Sequence, residues 1–377
     1  MRKETSLQPP RVIISGGGTG GHIFPAIAIA NALKEKCGGL VEILFVGAEG
    51  RMEMEKVPAA GYKIEALWIS GLQRKLTVKN LSFPFKVISS LIKANKIMKS
   101  FNPDAVVGTG GYASGPMLRV ASKAGVPTLI QEQNSYPGIT NKILAGKVDR
   151  ICVAYEGMQQ YFPASKIILT GNPVRQDILK LDGKKARAME FFNLQPDKKT
   201  VLVIGGSLGA RTINESIISS LEEFVKNDIQ LIWQTGKGFI AQANEAAKPF
   251  EKNGIVASEF ISKMDYAYAA ADVVISRAGA SSVSELCLVK KACILVPSPN
   301  VAEDHQTKNA MALVNHQAAL LVKDTNAKKE LVEKTIGLLS DNSLKLKLES
   351  NISKMAFADS AMVIANEILN LIHNKKQ

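Results

Sequence analysis

Three glycine-rich segments, each lodged between an apolar run of strand length and a helical run, limit what this chain can fold into. They are Ser15-Gly16-Gly17-Gly18-Thr19-Gly20-Gly21-His22, Gly108-Thr109-Gly110-Gly111-Tyr112-Ala113-Ser114-Gly115-Pro116 and Gly205-Gly206-Ser207-Leu208-Gly209-Ala210. Glycine lets a backbone pass close to a ligand, and the start of the following helix offers unpaired N–H groups to an anion. Strand, glycine turn and helix in repetition predict an α/β protein with a parallel sheet covered on both faces. One such segment is compatible with a mere tight turn. Three in equivalent settings point to a protein that handles more than one phosphate-bearing substrate.

The repetition runs twice. Strands are expected at 11–15, 41–46, 105–107 and 128–131, with helices at about 25–36 and 82–100; in the second helix Leu81, Phe85, Ile88 and Ile92 follow helical spacing. The pattern restarts at 200–204 and continues through strands at 231–234, 255–260, 273–276 and 292–296. A chain of 377 residues accommodates two domains. Two doubly wound units are therefore expected, 1–174 and 175–358, divided near Gly171-Asn172-Pro173. The helix from about 359 onward is expected to return to the first unit.

Charge is uneven. Of the net +13, residues 1–174 carry 21 Lys and Arg against 11 Asp and Glu (+10), and the remainder 26 against 23 (+3). No carboxylate lies between Glu65 and Asp104, where Leu72, Arg74, Lys75, Leu76, Lys79, Phe83, Phe85 and Lys86 mix cationic and apolar groups. That mixture predicts a monotopic contact with an anionic membrane surface. No recognised nucleic-acid module accompanies it. No apolar run approaches the roughly 20 residues of a membrane span, and the first residues lack the apolar core of a secretion signal. Cys37, Cys152, Cys287 and Cys293 show neither metal-ligand nor redox spacing, which fits reduced thiols in a cytoplasmic protein.

Gly16, Gly18 and Gly21 satisfy the dinucleotide fingerprint, so an oxidoreductase is one reading. It expects an acidic residue at the end of the second strand, where Val46 leads instead into Gly47-Ala48 and Glu49 comes late. There is no Walker A sequence and no Asp-x-Asp pair to hold a metal on a diphosphate. No cofactor or metal site is therefore expected, although a divalent ion could assist. A leaving diphosphate would be met by helix N-termini, Ser207 and Arg175. Polar residues at strand ends complete the candidates: His22, Gln131-Glu132-Gln133-Asn134, the run from Arg277 to Glu285, and Asp304-His305-Gln306. A non-catalytic lipid-phosphate-binding module would use the basic region and the first loop alone.

Taken in order, GGGTGGHIFPAIAIA, GTGGYASGP, QEQNSYPGITN, GNPVR, GGSLGARTIN, RAGASSVSEL and EDHQTKNA closely resemble glycosyltransferase family 28, specifically the peripheral-membrane UDP-N-acetylglucosamine transferases of peptidoglycan synthesis. The resemblance implies a GT-B architecture, two Rossmann-like domains facing across a cleft, the first for a lipid-linked acceptor at the membrane and the second for UDP-N-acetylglucosamine. Donor contacts carried over are Thr19, Gly20, Gly21, Asn134, Arg175, Ser207, Ile261, Ala280, Ser281, Ser282, Val283, Ser284, Glu285 and Gln306. Gly17, Gly18, Gly110, Gly111 and Tyr112 would hold the acceptor pyrophosphate. The implied reaction is an inverting β-1,4 transfer to undecaprenyl-pyrophosphoryl-N-acetylmuramyl-pentapeptide (lipid I), giving lipid II, with His22 as first and Glu132 as second candidate base. It implies work at the cytoplasmic face of a bacterial inner membrane, in company with cell-wall synthesis and division proteins. A UDP-sugar 2-epimerase of the same fold is the nearest rival.

Overall fold

The computed structural model describes residues 8–71, 82–206 and 208–376. Residues 8–174 and 359–376 form one compact unit and 175–358 a second.

The first unit begins β1 (Arg11–Gly16), α1 (Gly20–Lys36), β2 (Glu42–Ala48), α2 (Glu53–Ala59), β3 (Lys63–Leu67) and α3 (Phe83–Phe101). It continues with β4 (Ala105–Gly110), α4 (Ser114–Lys123), β5 (Thr128–Glu132), α5 (Ile139–Leu144), β6 (Arg150–Val153) and β7 (Ile167–Leu169). The strands make one parallel sheet of order β3-β2-β1-β4-β5-β6-β7. Side chains alternate across it, as strand geometry requires. Val12 and Ile14 pack with α1 on one face, while Ile13 joins Met117 and Leu118 of α4 on the other.

The second unit runs α6 (Lys185–Phe191), β8 (Lys199–Ile204), α7 (Arg211–Ile218), α8 (Leu221–Lys226), β9 (Ile229–Gln234) and α9 (Ile240–Ala247). Then come β10 (Ile255–Ser258), α10 (Met264–Ala270), β11 (Val273–Ser276), α11 (Ala280–Val289), β12 (Cys293–Leu295), α12 (His305–Val314) and β13 (Leu320–Leu321). Helices α13 (Ala327–Ser340) and α14 (Asn342–Ser353) close it, and α15 (Ser360–Lys376) belongs to the first unit. The second sheet is also parallel, in the order β10-β9-β8-β11-β12-β13. Ile364, Ala365, Ile368 and Ile372 of α15 are buried in the core that includes α1. Each fully buried isoleucine stabilises that contact by about 1.5–3 kcal/mol.

In both sheets the strand order reverses once in mid-sheet, between β1 and β4 and between β8 and β11. At such a reversal the loops leaving two adjacent strands run to opposite faces and open a crevice at the strand C-termini. All three glycine-rich segments lie at these two points. No described helix is long and apolar enough to cross a membrane.

Candidate functional site

At the first switch point the two glycine loops interlock. The Gly17 amide donates to the Gly110 carbonyl at 3.2 Å, and the Ser114 hydroxyl lies 2.8 Å from the carbonyls of both Ser15 and Gly110. Gly110 and Gly111 both have positive φ, 101° and 86°. A Cβ on Gly110 would stand 2.8 Å from the His22 ring, and one on Gly111 would overlap the Gly17 carbonyl. Glycine is required at both for conformation and for space.

The first loop is braced from beneath by a residue that sequence reasoning passed over. Glu53, wholly buried at the start of α2, accepts the Gly18 amide at 2.8 Å and the Ala48 amide at 2.9 Å. The amides of Gly17 and Gly18, expected to hold a pyrophosphate, are thus committed inside the protein. An anion here would meet the open start of α1 instead. Thr19 is its N-cap in extended conformation with no side-chain cap, and Gly20 and Gly21 open the helix. Glu49, the acid weighed for a dinucleotide ribose, is exposed. The glycines on β2 and in the loop leave Glu53 room, since a Cβ on Gly17 or Gly47 would collide with it.

His22 sits in the first turn of α1, half-buried. Its Nδ1 lies 2.9 Å from Gln133 Oε1, and its carbonyl accepts the Thr109 hydroxyl at 3.0 Å. Glu132 is buried and occupied. Its Oε1 accepts the Asn134 amide at 3.0 Å and the Asn134 side chain at 3.3 Å; its Oε2 accepts the Gly138 amide at 3.1 Å and Asn141 Nδ2 at 2.8 Å. Four donors thus surround this carboxylate. Glu132 thereby shapes the loop that carries Asn134. Tyr112 is half-exposed at the rim.

At the second switch point the third glycine loop follows β8. Ser207 lies outside the described residues. Gly209 passes so close to Thr235 that a Cβ would overlap its carbonyl. Gln234, unflagged by sequence, spans the loop and the segment after β10: its Nε2 donates to the Gly206 carbonyl at 3.0 Å and its Oε1 accepts the Ile261 amide at 3.0 Å. The Ile261 N–H is therefore engaged within the protein. Arg277 buckles the ends of β11 and β12, donating to the carbonyls of Val296 (2.9 Å) and Pro297 (3.2 Å) and pairing with Asp324.

Helix α11 starts at Ala280 with Gly279 as an extended N-cap and no side-chain cap. Its first amides, at Ala280, Ser281 and Ser282, face outward from a bare N-terminus; Val283 is already bonded back to Gly279 at 2.9 Å. Glu285, one turn further, is nearly buried. Its Oε1 accepts Arg175 Nε at 3.0 Å and its Oε2 the Tyr268 hydroxyl at 3.0 Å. Burial pushes the Glu285 carboxyl above its ordinary range despite Arg175, and pushes the Tyr268 hydroxyl well up. Burial opposes the charge on Arg175 too, but Glu285, Asp177 and Tyr268 together raise it. Ser284 neighbours Glu285 on the same helix. At the start of α12, Gln306 Oε1 accepts the Ser298 amide at 2.8 Å, which orients its amide.

The model of the glycosyltransferase family 28 N-terminal domain matches residues 12–153, and that of the family's C-terminal domain matches residues 200–364. The chain belongs to glycosyltransferase family 28.

Family 28 relatives of high similarity include a protein of Parabacteroides distasonis, 55% identical over 97% of this chain and 99% of its own. One of Phocaeicola vulgatus is 56% identical over 96% of both chains. Both carry the name UDP-N-acetylglucosamine--N-acetylmuramyl-(pentapeptide) pyrophosphoryl-undecaprenol N-acetylglucosamine transferase. Among solved structures, MurG of Acinetobacter baumannii is 29% identical, with a TM-score of 0.80 over 96% of this chain and all of that one. A UDP-GlcNAc 2-epimerase from Neisseria meningitidis shares the fold at 14% identity and a TM-score of 0.64.

A third feature of this family 28 chain lies on α3. The apolar stripe read from the sequence does not face the core. Phe85, Ile88 and Ile92 are 69%, 57% and 67% exposed, whereas Ser90, Ala94, Ile97 and Met98 make the buried face. With the half-exposed Trp68 they line a groove of about 540 Å³, flanked by Lys93 and Lys96. Lys86 stands 5.6 Å above the Trp68 ring and donates to Ser70 at 3.0 Å. Phe83 begins the helix. Leu72, Arg74, Lys75, Leu76 and Lys79 lie outside the described residues.

Proposed function

We propose that this chain is an inverting glycosyltransferase that moves N-acetylglucosamine from UDP-N-acetylglucosamine to the 4-hydroxyl of the N-acetylmuramyl residue of lipid I, giving lipid II for peptidoglycan. The observation that carries the reading is the 55% identity, over 97% of the chain, to an enzyme whose name states those substrates. The rival epimerases share only the fold.

The second unit takes the donor. The bare start of α11 (Ala280, Ser281, Ser282), Arg175 and Ser207 meet the diphosphate; Glu285 accepts from the ribose hydroxyls; Ile261 reads the base; Gln306 contacts the sugar. Val283 and Ser284 complete that turn. In the first unit the acceptor pyrophosphate meets Gly110, Gly111 and Tyr112, while Thr19, Gly20 and Gly21 at the start of α1, with Asn134, serve the donor sugar. In the step itself the bond from the anomeric carbon to the UDP phosphate oxygen breaks as the acceptor O4 bonds to that carbon from the opposite side. The O4 proton passes to Nε2 of His22.

The α3 groove and its lysines suit a monotopic contact with anionic lipid, which would bring the chain to a lipid-linked substrate at the cytoplasmic face of the inner membrane. Cell-wall synthesis and division proteins are the company this role predicts.

The test is incubation with labelled UDP-N-acetylglucosamine and a lipid I analogue. Label in a β-1,4-linked disaccharide lipid is expected. Label that stays on the nucleotide sugar as its 2-epimer would replace this reading with the epimerase one.

A further inference from the structure

Around Nε2 of Gln133 three oxygens gather: the Thr109 carbonyl at 2.7 Å, the Gln131 carbonyl at 3.1 Å, and Gln131 Oε1. Three acceptors about one atom can be satisfied only by a donor, so that atom is the amide nitrogen, and the atom facing His22 is the oxygen. Gln133 is buried, and turning its amide over would set its oxygen against three oxygens.

The same logic fixes the next two amides. Gln131 Nε2 donates to Asn172 Oδ1 at 2.9 Å, which leaves Gln131 Oε1 for Gln133. Asn172 Nδ2 donates to the Gln133 carbonyl at 2.9 Å. The chain of amides therefore begins on one backbone carbonyl and finishes on others, and Asn172, Gln131 and Gln133 are each buried. No member can turn without breaking its neighbours' bonds.

At the end of this chain Gln133 Oε1 can only accept, so His22 Nδ1 must donate across the 2.9 Å between them. In a neutral imidazole a proton on Nδ1 leaves the lone pair on Nε2. The ring cannot rotate freely, because it lies against Gly110, where a Cβ would come within 2.8 Å. Its backbone is also held by the Thr109 hydroxyl at 3.0 Å.

We infer that Gln133 is a positioning residue for the transfer step: oriented by Gln131 and Asn172, it holds neutral His22 with the proton on Nδ1 and presents the Nε2 lone pair to the acceptor hydroxyl. The inference rests on the reading of His22 as the base. Without Gln133 the ring is free to protonate Nε2, and a base carrying its proton on the wrong nitrogen cannot take another there.

The chain has only four histidines, so 15N-histidine labelling of the full protein gives few imidazole signals, and those of His22 are the ones missing in His22→Gln. In wild type, neutral His22 should show a protonated Nδ1 and a bare Nε2. Gln133→Met removes the acceptor; Nε2-protonated His22 should appear and kcat should fall about tenfold or more, with the Kd for UDP unchanged. The wild-type tautomer, which needs no variant, tests the inference if the methionine variant does not fold. Wild-type His22 protonated on Nε2, or a methionine variant still protonated on Nδ1, would overturn the inference. A tautomer that moves as expected with kcat unchanged would overturn instead the assignment of His22 as base.

Discussion

The carboxylate of Glu53 accepts the amide of Gly18 at 2.8 Å, joining the start of α2 to the first glycine loop across 35 residues of chain. Its other oxygen accepts the Ala48 amide at 2.9 Å, so this wholly buried acid spans the end of β2 and the loop after β1. In a dinucleotide enzyme an acid near this point would hold a ribose. Here it is enclosed by the protein and serves the loop.

Glu53→Gln should therefore be damaging despite its near-identical shape. A glutamine can accept at only one end, and its amide nitrogen would face one of the two backbone N–H groups. A loss of about 1–3 kcal/mol is expected for one buried donor left unmet. Chemical denaturation measures it. A variant as stable as wild type would mean that the loop does not depend on this brace.

The Glu285 carboxyl gives the second unit a pH signature. Burial raises it above the ordinary 4.5, outweighing the attraction of Arg175 and the hydroxyl of Tyr268. A group whose folded value is raised favours folding most below its unfolded value, and that contribution is lost as pH rises through the folded value. Wild type should lose stability relative to Glu285→Gln as pH is raised from about 4.5 toward neutrality. Paired denaturation curves across that range check the sign. A difference that moves the opposite way would mean that the Arg175 pair, rather than burial, governs this carboxyl.

The outward stripe of α3 predicts lipid dependence. Replacing Phe85, Ile88 and Ile92 together by serine leaves the buried face of the helix intact, so the fold should persist. Binding to vesicles containing anionic lipid should weaken by roughly tenfold or more, since each buried large apolar side chain contributes on the order of 1.5 kcal/mol. Co-sedimentation with vesicles, alongside circular dichroism of the triple variant, reads both quantities. Undiminished sedimentation of a folded variant would remove this face from membrane binding.

Much of the architecture was legible because glycine turns and apolar runs are local signals. The weaker strands were not. In β3 the sequence Lys-Ile-Glu-Ala-Leu exposes Lys63 and Glu65 on a sheet edge, and β7 is three residues long. Helix α1 begins at Gly20 rather than near Pro25, because glycines of low helical propensity are held in the first turn by the surrounding loops. On α3 the spacing correctly predicted a helix, but periodicity cannot say which face meets the core, and the small residues Ser90 and Ala94 do so.

The candidate site was legible at the strand ends and opaque beneath them. His22, Glu132, Arg175 and Glu285 stand beside glycine turns or strand ends, where ligands bind in such sheets. Gln133, Gln234 and Glu53 act through partners 111, 27 and 35 residues away, and no local pattern encodes those pairings. Glu53 had one signal, an acid soon after β2. The nearer and exposed Glu49 masked it.

Release of UDP reports most directly on group transfer from a nucleotide sugar to a lipid acceptor. With UDP-N-acetylglucosamine alone, release should be negligible. On addition of a lipid I analogue, UDP should appear in step with acceptor consumed, one for one. Equal UDP release with and without the acceptor, or none in its presence, would mean that the chain does not transfer the sugar to this lipid.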